Sequence, residues 1–347
     1  MKLIEAINNI RLKIIIYKYS KLYFESIKDN KEKLIEAFVS YYGEEYRDLI
    51  INRFKNMRFY AFISAATRDK VIPAFIKQGI STTLLKDLNF LKAKSKNRTI
   101  IVEDDQPNDR IDKEIIRDHI NYIKSRPYIA GSFTPRIGKN GEIKYYICCS
   151  LFENDISLIH EVNHALTCQM LASYESNDDF SYIKKLGMDV WTNEKSIIFE
   201  EIINERASQE IYDIFTKRFH GQITYDNRVT TESRYEKLFP LIENFYREYK
   251  DLIKEARITC NKNAIYKRIH KDKFEIFEEL VVSLYDKEPE DIKKYIERAK
   301  ALTKEMKKTY KKERVQEYID KLRAEKRLIS VLYKKDNEPL NIAAKTL

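Results

Sequence analysis

His160-Glu161-Val162-Asn163-His164 places two histidines four positions apart around a glutamate. An α-helix turns by about 100° per residue, so the two histidine rings lie nearly above one another and can share one metal ion. Glu161 then projects beside that ion, where its carboxylate can polarise a water molecule. The apolar pairs Leu158-Ile159 and Ala165-Leu166 continue a helix on both sides. These five residues therefore predict a metal centre on one helix.

The alternative is a helix that carries two histidines and a glutamate on a solvated face. Histidine is scarce in this chain, with five in 347 residues, and the other three lie far apart at His119, His220 and His270. A chance spacing of four around a glutamate is therefore rare, and the sequence favours the metal centre.

Composition predicts a globular and mainly helical protein. With 347 residues, 43% of them hydrophobic, the chain can bury one large core or two modest ones. It has seven glycines and seven prolines, where average usage supplies roughly twenty of each, so the composition disfavours a turn-rich β architecture. We expect an α+β fold in which helix dominates.

The cysteines and the hydropathy favour a cytoplasmic protein without a membrane partner. The four cysteines show no C-x-x-C spacing and are expected to be reduced thiols. A transmembrane helix needs about 18 or more apolar residues in a row, and no stretch approaches that length. Lys13-Ile14-Ile15-Ile16-Tyr17-Lys18 is too short and too charged for a signal peptide.

The net charge of +10 is spread along the whole chain. The densest basic block is Lys307-Lys308-Thr309-Tyr310-Lys311-Lys312 with Arg314, inside a helical pattern. A solvated helix face is the favoured interpretation. Weak and unspecific binding of nucleic acid is the alternative, and no recognised nucleic-acid module accompanies the block.

Periodicity divides the chain into three regions. Residues 1–94 show helical spacing throughout, and residues 286–347 form a helical extension. Between them, residues 95–285 begin with a β-branched run, Arg98–Glu103, and a helix over Asp112–Ser125. Two strand-like runs, Tyr128–Phe133 and Ile143–Cys148, follow around a loop with Asn140-Gly141, which predicts a hairpin. The helix after it should be capped by Asn154 or Asp155.

A small sheet followed by a helix with this motif resembles the zincins, the HExxH zinc metallopeptidases. The resemblance covers about Ile143 to Phe215 and assigns no single family. It implies one zinc ion per chain and a peptide or protein substrate that pairs with an edge strand along the cleft. By that resemblance Ile143–Ser150 is the candidate edge strand, and an ordinary core hairpin is the alternative.

A catalytic zinc ion usually has three protein ligands. The metzincin pattern is excluded, since Thr167 stands where it needs glycine and Met170 where it needs histidine. The segment Phe199–Ser208, on the next long helix, instead resembles the gluzincins. In one register Glu201 binds zinc and Glu205, one turn on, holds a zinc-binding histidine by its other nitrogen. In the other, Asn204-Glu205 matches the Asn-Glu pair of thermolysin-like enzymes and Glu205 is the ligand.

A zinc ion with a bound water molecule beside Glu161 implies a mechanism of hydrolysis. In it, Glu161 is the general base for the water molecule, which attacks a peptide carbonyl. His220 and Tyr212 are candidates for stabilising the transition state by position only, and structural roles are the favoured interpretation for both.

Two rival hypotheses remain at this point. One is a non-catalytic helical binding protein, for nucleic acid among other partners, with a structural or vestigial zinc site. The other is zinc-dependent hydrolysis of a substrate other than a peptide.

Overall fold

A computed structural model describes residues 2–63, 69, 72–77, 82–94, 100–103, 117, 121, 130–137, 141–152, 154–174, 180–190, 194–224, 233–307 and 323. The predicted helix over Asp112–Ser125 lies outside these residues apart from two positions. The basic block beyond Lys307 also lies outside them.

The described chain is mainly helical, as the composition predicts. Short 3₁₀ turns at Glu44–Tyr46 and Glu236–Leu238 and a π-helical turn at Ile214–Arg218 adjoin the α-helices. The α-helices are α1 (Lys2–Asp29), α2 (Lys31–Tyr42), α3 (Arg47–Lys55), α4 (Ile72–Lys77), α5 (Thr82–Lys94), α6 (Asp155–Leu166), α7 (Glu194–Asp213), α8 (Phe239–Glu248), α9 (Lys250–Ile258), α10 (Asn263–Tyr266), α11 (Lys271–Ser283), α12 (Pro289–Lys293) and α13 (Ile296–Glu305).

Two small sheets accompany the helices. The first has the strand order β2-β1-β4-β3 and is mixed, because β1 pairs in parallel with β4 while the other pairs are antiparallel. The second has the order β5-β6-β7 and is antiparallel. The strands are β1 (Met57–Ile63), β2 (Ile100–Glu103), β3 (Gly131–Ile137), β4 (Ile143–Ser150), β5 (Cys168–Tyr174), β6 (Phe180–Leu186) and β7 (Asp189–Val190).

The strand order corrects the predicted edge strand. The hairpin of β3 and β4 is confirmed, since the two strands pair antiparallel from Gly131 opposite Cys149 to Ile137 opposite Ile143. However, β4 is an inner strand, flanked by β1 on one side and β3 on the other. Among the described strands, the edge of the sheet on this side is β3, the other strand of the hairpin. The assignment of Ile143–Ser150 to the edge was wrong. The continuous buried run in β4 fits its inner position.

The first sheet contains a strand from the region that was predicted to be entirely helical. Met57–Ile63 forms β1 and lies at the centre of the sheet beside β4. Its sequence is an almost unbroken apolar run, and such a run does not distinguish a buried strand from a buried helix segment. Pairing with β2 and β4 on its two sides determines which structure it adopts.

Two hydrophobic cores lie on either side of the histidine motif. The first combines α1, α2 and α3 with the first sheet and with Leu158, Ile159 and Val162 of α6. The second combines α8 to α13 with Phe199 and Ile202 of α7. The helix α7 contributes to both cores, since its later residues belong to the first. The motif helix and α7 therefore lie next to each other between the two cores.

Within the described residues, no helix is long and apolar enough to cross a membrane.

Candidate metal centre

The motif lies on α6, whose first turn is fixed by side-chain hydrogen bonds. Asn154 is the N-cap and its side chain accepts a hydrogen bond from the Ser157 backbone N–H at 3.2 Å, which confirms the predicted cap. The carboxylate of Asp155 accepts hydrogen bonds from the backbone N–H groups of Ile223 and Thr224, at 2.9 and 2.7 Å. The start of α6 is thereby tied to the loop after α7.

Three side chains from α6 and α7 converge on one point. Nε2 of His160 lies 3.0 Å from Nε2 of His164, and Oε2 of Glu201 lies 3.1 Å from the first nitrogen and 3.3 Å from the second. Each residue directs one ligand atom to the same small volume. The group could hold a metal ion.

Glu205 lies one helical turn after Glu201 and contacts the other side of His160. Its Oε2 is 2.6 Å from Nδ1 of His160, while Nε2 of the same ring faces Glu201. One carboxylate therefore lies with the candidate ligand atoms, and the second holds one histidine ring from behind. This geometry favours the register in which Glu201, rather than Glu205, is the third ligand.

The three side chains of the triad change one another's pKa values. Burial alone would lower the pKa of His160, but its contacts with Glu201 and Glu205 raise that pKa well above the usual value. Burial opposes ionisation of Glu201, yet His164 and His160 hold the pKa of Glu201 well below its usual range. Burial lowers the pKa of His164 to about 4, so this ring is neutral at neutral pH. A neutral ring can donate its lone pair to a metal ion.

Glu161 lies beside the triad and packs on the edge strand. A methyl group at Gly131 in β3 would come within 2.7 Å of Cγ and 2.8 Å of Oε1 of Glu161, so only glycine leaves room for this side chain. Burial raises the pKa of Glu161 to about 8 in the metal-free site. A buried carboxylate with an elevated pKa is typical of a group that exchanges protons near neutral pH.

A buried polar network holds α6 and α7 together behind the triad. Arg257 of α9 is fully buried, and its guanidinium donates hydrogen bonds to Glu200, at 2.6 Å, and to Asn204. Asn204 in turn donates from Nδ2 to the backbone carbonyl of His160 at 3.0 Å. Arg257 also donates to the Tyr42 hydroxyl at 3.3 Å, and that hydroxyl donates to Asn163 of α6 at 2.6 Å. The network fixes the backbone of the motif relative to α7.

Sequence reasoning missed Lys184, a cation close to the triad. Its ammonium nitrogen lies 5.4 Å from the centre of the Phe133 ring, and Phe133 stacks on His164 with 6.4 Å between ring centres. Burial lowers the pKa of Lys184 to about 8, and the charges of Glu161 and Glu201 act on it in the opposite direction. The sequence carries no local signal for this residue, which lies on β6 next to a second lysine, Lys185.

Tyr235 is a second group near the triad that the sequence did not single out. Burial and the negative charge of Glu201 raise its pKa well above the usual value, and its ring stacks on Tyr285 with 5.8 Å between centres. The residue follows α7 by more than twenty positions, so no helical spacing links it to Glu201.

The structure does not bring His220 or Tyr212 to the triad. Tyr212 is eleven residues after Glu201 on α7, which corresponds to about 16 Å along the helix axis. That separation exceeds the reach of a tyrosine side chain. His220 is exposed in the loop after α7, and its backbone carbonyl accepts a hydrogen bond from Lys33. Both residues therefore lie outside the candidate metal centre.

The one described residue of the basic block, Lys307, contacts an acidic side chain. Its ammonium group lies 2.8 Å from Glu248.

Comparisons of the chain with protein-family models, with curated proteins and with solved structures found no match.

Proposed function

We propose that this protein is a zinc-dependent metallopeptidase. The spacing of the three ligand atoms is the observation that carries the proposal. A tetrahedral zinc ion with bonds of about 2.0–2.1 Å separates its ligand atoms by roughly 3.3 Å. The separations among His160, His164 and Glu201 are 3.0, 3.1 and 3.3 Å. Separations of this size suit three ligand atoms that share a single zinc ion.

The donor set also favours zinc. Two imidazoles and one carboxylate, with a fourth position open, form the ligand set of catalytic zinc sites of the two-histidine type. Glu201 is the proposed third ligand, because its carboxylate faces both Nε2 atoms. Glu205 orients His160 through Nδ1. A bound zinc ion would supply a Lewis acid that polarises a carbonyl group and eases deprotonation of water near neutral pH.

Glu161 is the proposed general base. It follows a ligand directly in sequence but is absent from the converging group, so its carboxylate is available for proton transfer. It accepts the proton of the attacking water at one carboxylate oxygen and donates it to the nitrogen of the departing amine. The Glu161 side chain packs against the backbone of Gly131 in β3, which limits where that oxygen can lie.

The edge strand β3 is the proposed platform for a peptide substrate. The Ser150 N–H donates to the Ala130 carbonyl at 2.7 Å, which places the hydrogen-bonded pairs with β4 at even-numbered residues of β3. The backbone groups of Gly131 and Phe133 then face the free edge. Pro135, which lacks an N–H group, falls in the same outward set, as expected of an edge position. A peptide added there runs past Glu161 and His164.

Lys184 is the proposed cation that stabilises negative charge on the substrate. Its ammonium group lies next to Phe133 and acts electrostatically on Glu161 and Glu201. A positive charge in a partly buried position stabilises a developing oxyanion more strongly than one in water.

The test is Glu161→Gln, which keeps the size of the side chain and removes the base. Wild type and variant are loaded with zinc and given a peptide library derived from a proteome, and products are read by mass spectrometry. We expect turnover to fall by at least roughly 10²-fold while about one zinc ion per chain remains bound. Glu275→Gln, on the exposed surface of α11, is the matched control and should leave turnover unchanged.

Cleavage that persists in Glu161→Gln would contradict the assigned base. Absence of zinc from the wild type, even after the metal is added back, would contradict the function itself. His160→Ala and His164→Ala should each empty the site, since either change removes one of three protein ligands.

A further inference from the structure

The first helix has apolar side chains on two opposite faces. One face packs into the first core through Leu12, Ile15, Ile16, Tyr19, Tyr23 and Ile27. The opposite face is exposed and carries Leu3, Ile7, Ile10, Ile14 and Tyr17, each between 55% and 73% exposed. A helix that is apolar on both sides is normally covered on both sides. The exposed face, which we call the α1 seam, is therefore an interaction surface.

The spacing of the α1 seam indicates what covers it. Its five residues follow each other at intervals of four, three, four and three positions. That is the a and d pattern of a coiled coil, a narrow stripe that packs against one partner helix. Ile7 and Ile14 occupy the a positions, and Leu3, Ile10 and Tyr17 occupy the d positions. The next a position is Lys21, which is charged, and the next d position is Phe24, which is buried in the chain's own core. The apolar pattern therefore ends at Tyr17.

We propose that the α1 seam binds the α1 seam of a second copy of this chain and forms a two-fold symmetric dimer. A strip that matches a coiled-coil seam complements an identical strip, since each copy offers the same apolar residues at the same spacing.

The charges beside the seam permit this pairing. Arg11 lies over the Phe90 ring of α5 at 4.2 Å, and Lys18 pairs with Asp87 of α5 at 3.2 Å. Both cations are thus engaged by their own chain. Lys21 lies 3.9 Å from Glu25. Lys13, the remaining cation beside the seam, is exposed, so water and salt screen its repulsion of a second copy. One such cation does not form the basic row that selects an anionic membrane.

The exposed apolar area is in the range of a small interface. The five side chains of the seam are 55% to 73% exposed. At roughly 100 Å² for a fully exposed side chain of this size, they supply about 300 Å² of apolar area per chain. An interface of standard size buries about 800 Å² per partner, of which a little more than half is apolar. The seam alone therefore supplies about two thirds of the apolar area of such an interface, which is the size of a weak and reversible dimer contact.

Sedimentation equilibrium of the full-length protein at several concentrations tests the proposal. The wild type should approach twice the mass of one chain as concentration rises. Ile7→Glu combined with Ile14→Glu should weaken association by at least about 100-fold, because both charges would be buried at the dimer contact. The matched control is Ile276→Glu combined with Tyr295→Glu, which alters two other exposed apolar residues and should leave association unchanged.

Circular dichroism establishes that both double variants remain folded. A wild type that stays monomeric up to a chain concentration of about 100 μM would overturn the proposal. So would association that the α1 variant retains. A monomeric protein that floats with phosphatidylserine vesicles through α1 would show that a membrane, and not a second copy, covers the seam. All these readouts are independent of zinc and of peptide hydrolysis.

Discussion

Glu201 and Glu205 lie one turn apart on α7 and contact opposite nitrogens of the same histidine. Oε2 of Glu201 is 3.1 Å from Nε2 of His160, and Oε2 of Glu205 is 2.6 Å from Nδ1. A ring held at Nδ1 has a fixed orientation and tautomer, and its Nε2 lone pair is available to a metal ion. We therefore expect the two carboxylates to affect metal affinity differently.

The first prediction compares Glu201→Gln with Glu205→Gln. The first change should remove most of the zinc, because a neutral amide replaces a ligand. The second should weaken zinc affinity by about 10- to 100-fold, as loss of an orienting partner typically does. Competition with a chromophoric chelator measures both affinities, and Glu275→Gln is the control. The reverse order would assign the ligand to Glu205, and no effect of either change would place the third ligand elsewhere.

The second prediction concerns pH. Contacts with Glu201 and Glu205 raise the pKa of His160 well above its usual value, so without zinc this ring carries a proton at neutral pH. Zinc must displace that proton. Below the raised pKa, zinc affinity should therefore rise by at least about tenfold per pH unit, and each zinc ion bound should release at least about one proton.

Calorimetry in buffers with different ionisation enthalpies counts the protons. Glu205→Gln removes one of the two anions that stabilise the charged ring, so fewer protons should be released from this variant at the same pH. An affinity that is independent of pH between 6 and about 8 would contradict the protonated state of His160.

The site residues differ in how far the sequence could predict them. His160, Glu161 and His164 are named by local spacing, because a helix converts an interval of four into proximity. For the third ligand, the sequence could give only the pair Glu201 and Glu205, since the distance of each to His160 depends on how α7 packs on α6. Lys184 could not be predicted at all, as the contact with Phe133 joins two strands of different sheets.

At the scale of elements, the site depends on the position of β3 relative to α6. The sequence predicted the β3–β4 hairpin from its turn, but it did not predict which of the two strands lies at the edge. That order is determined by β1, which pairs with β4 across more than eighty residues of sequence. Long-range pairing leaves no local pattern, so the free edge of β3 could be recognised only in the structure.

The third prediction uses the close packing between β3 and Glu161. Gly131→Ala would bring a methyl group within 2.7 Å of the Glu161 side chain, which must shift. A displaced base costs about 10- to 100-fold in turnover, whereas the zinc ligands are untouched. Turnover and zinc content of the variant are measured together. Thr134→Ala, on the opposite face of β3, is the control, and normal turnover in Gly131→Ala would show that Glu161 has room to move.

For the whole molecule, α6 and α7 are the connection between two hydrophobic cores. Leu158 and Val162 of α6 belong to the first core, and Phe199 and Ile202 of α7 belong to the second. Arg257 and its partners fill the buried polar layer between the two helices. Composition predicted the dominance of helix. Chain length left one large core and two modest cores as alternatives. The second sheet was not predicted, because β6 carries lysines at positions that obscure strand alternation.

The last prediction follows from the position of the metal centre at this connection. A ligand that binds only the folded chain stabilises it by about 4 kcal/mol when its concentration is about 1,000 times the dissociation constant. For a chain of this size, that corresponds to a rise in Tm on the order of 5–10 °C. Differential scanning calorimetry of zinc-loaded and chelator-treated protein measures the difference. His164→Ala, which removes a ligand from the triad, should lose the whole shift, and an equal shift in that variant would mean that zinc stabilises the protein from another site.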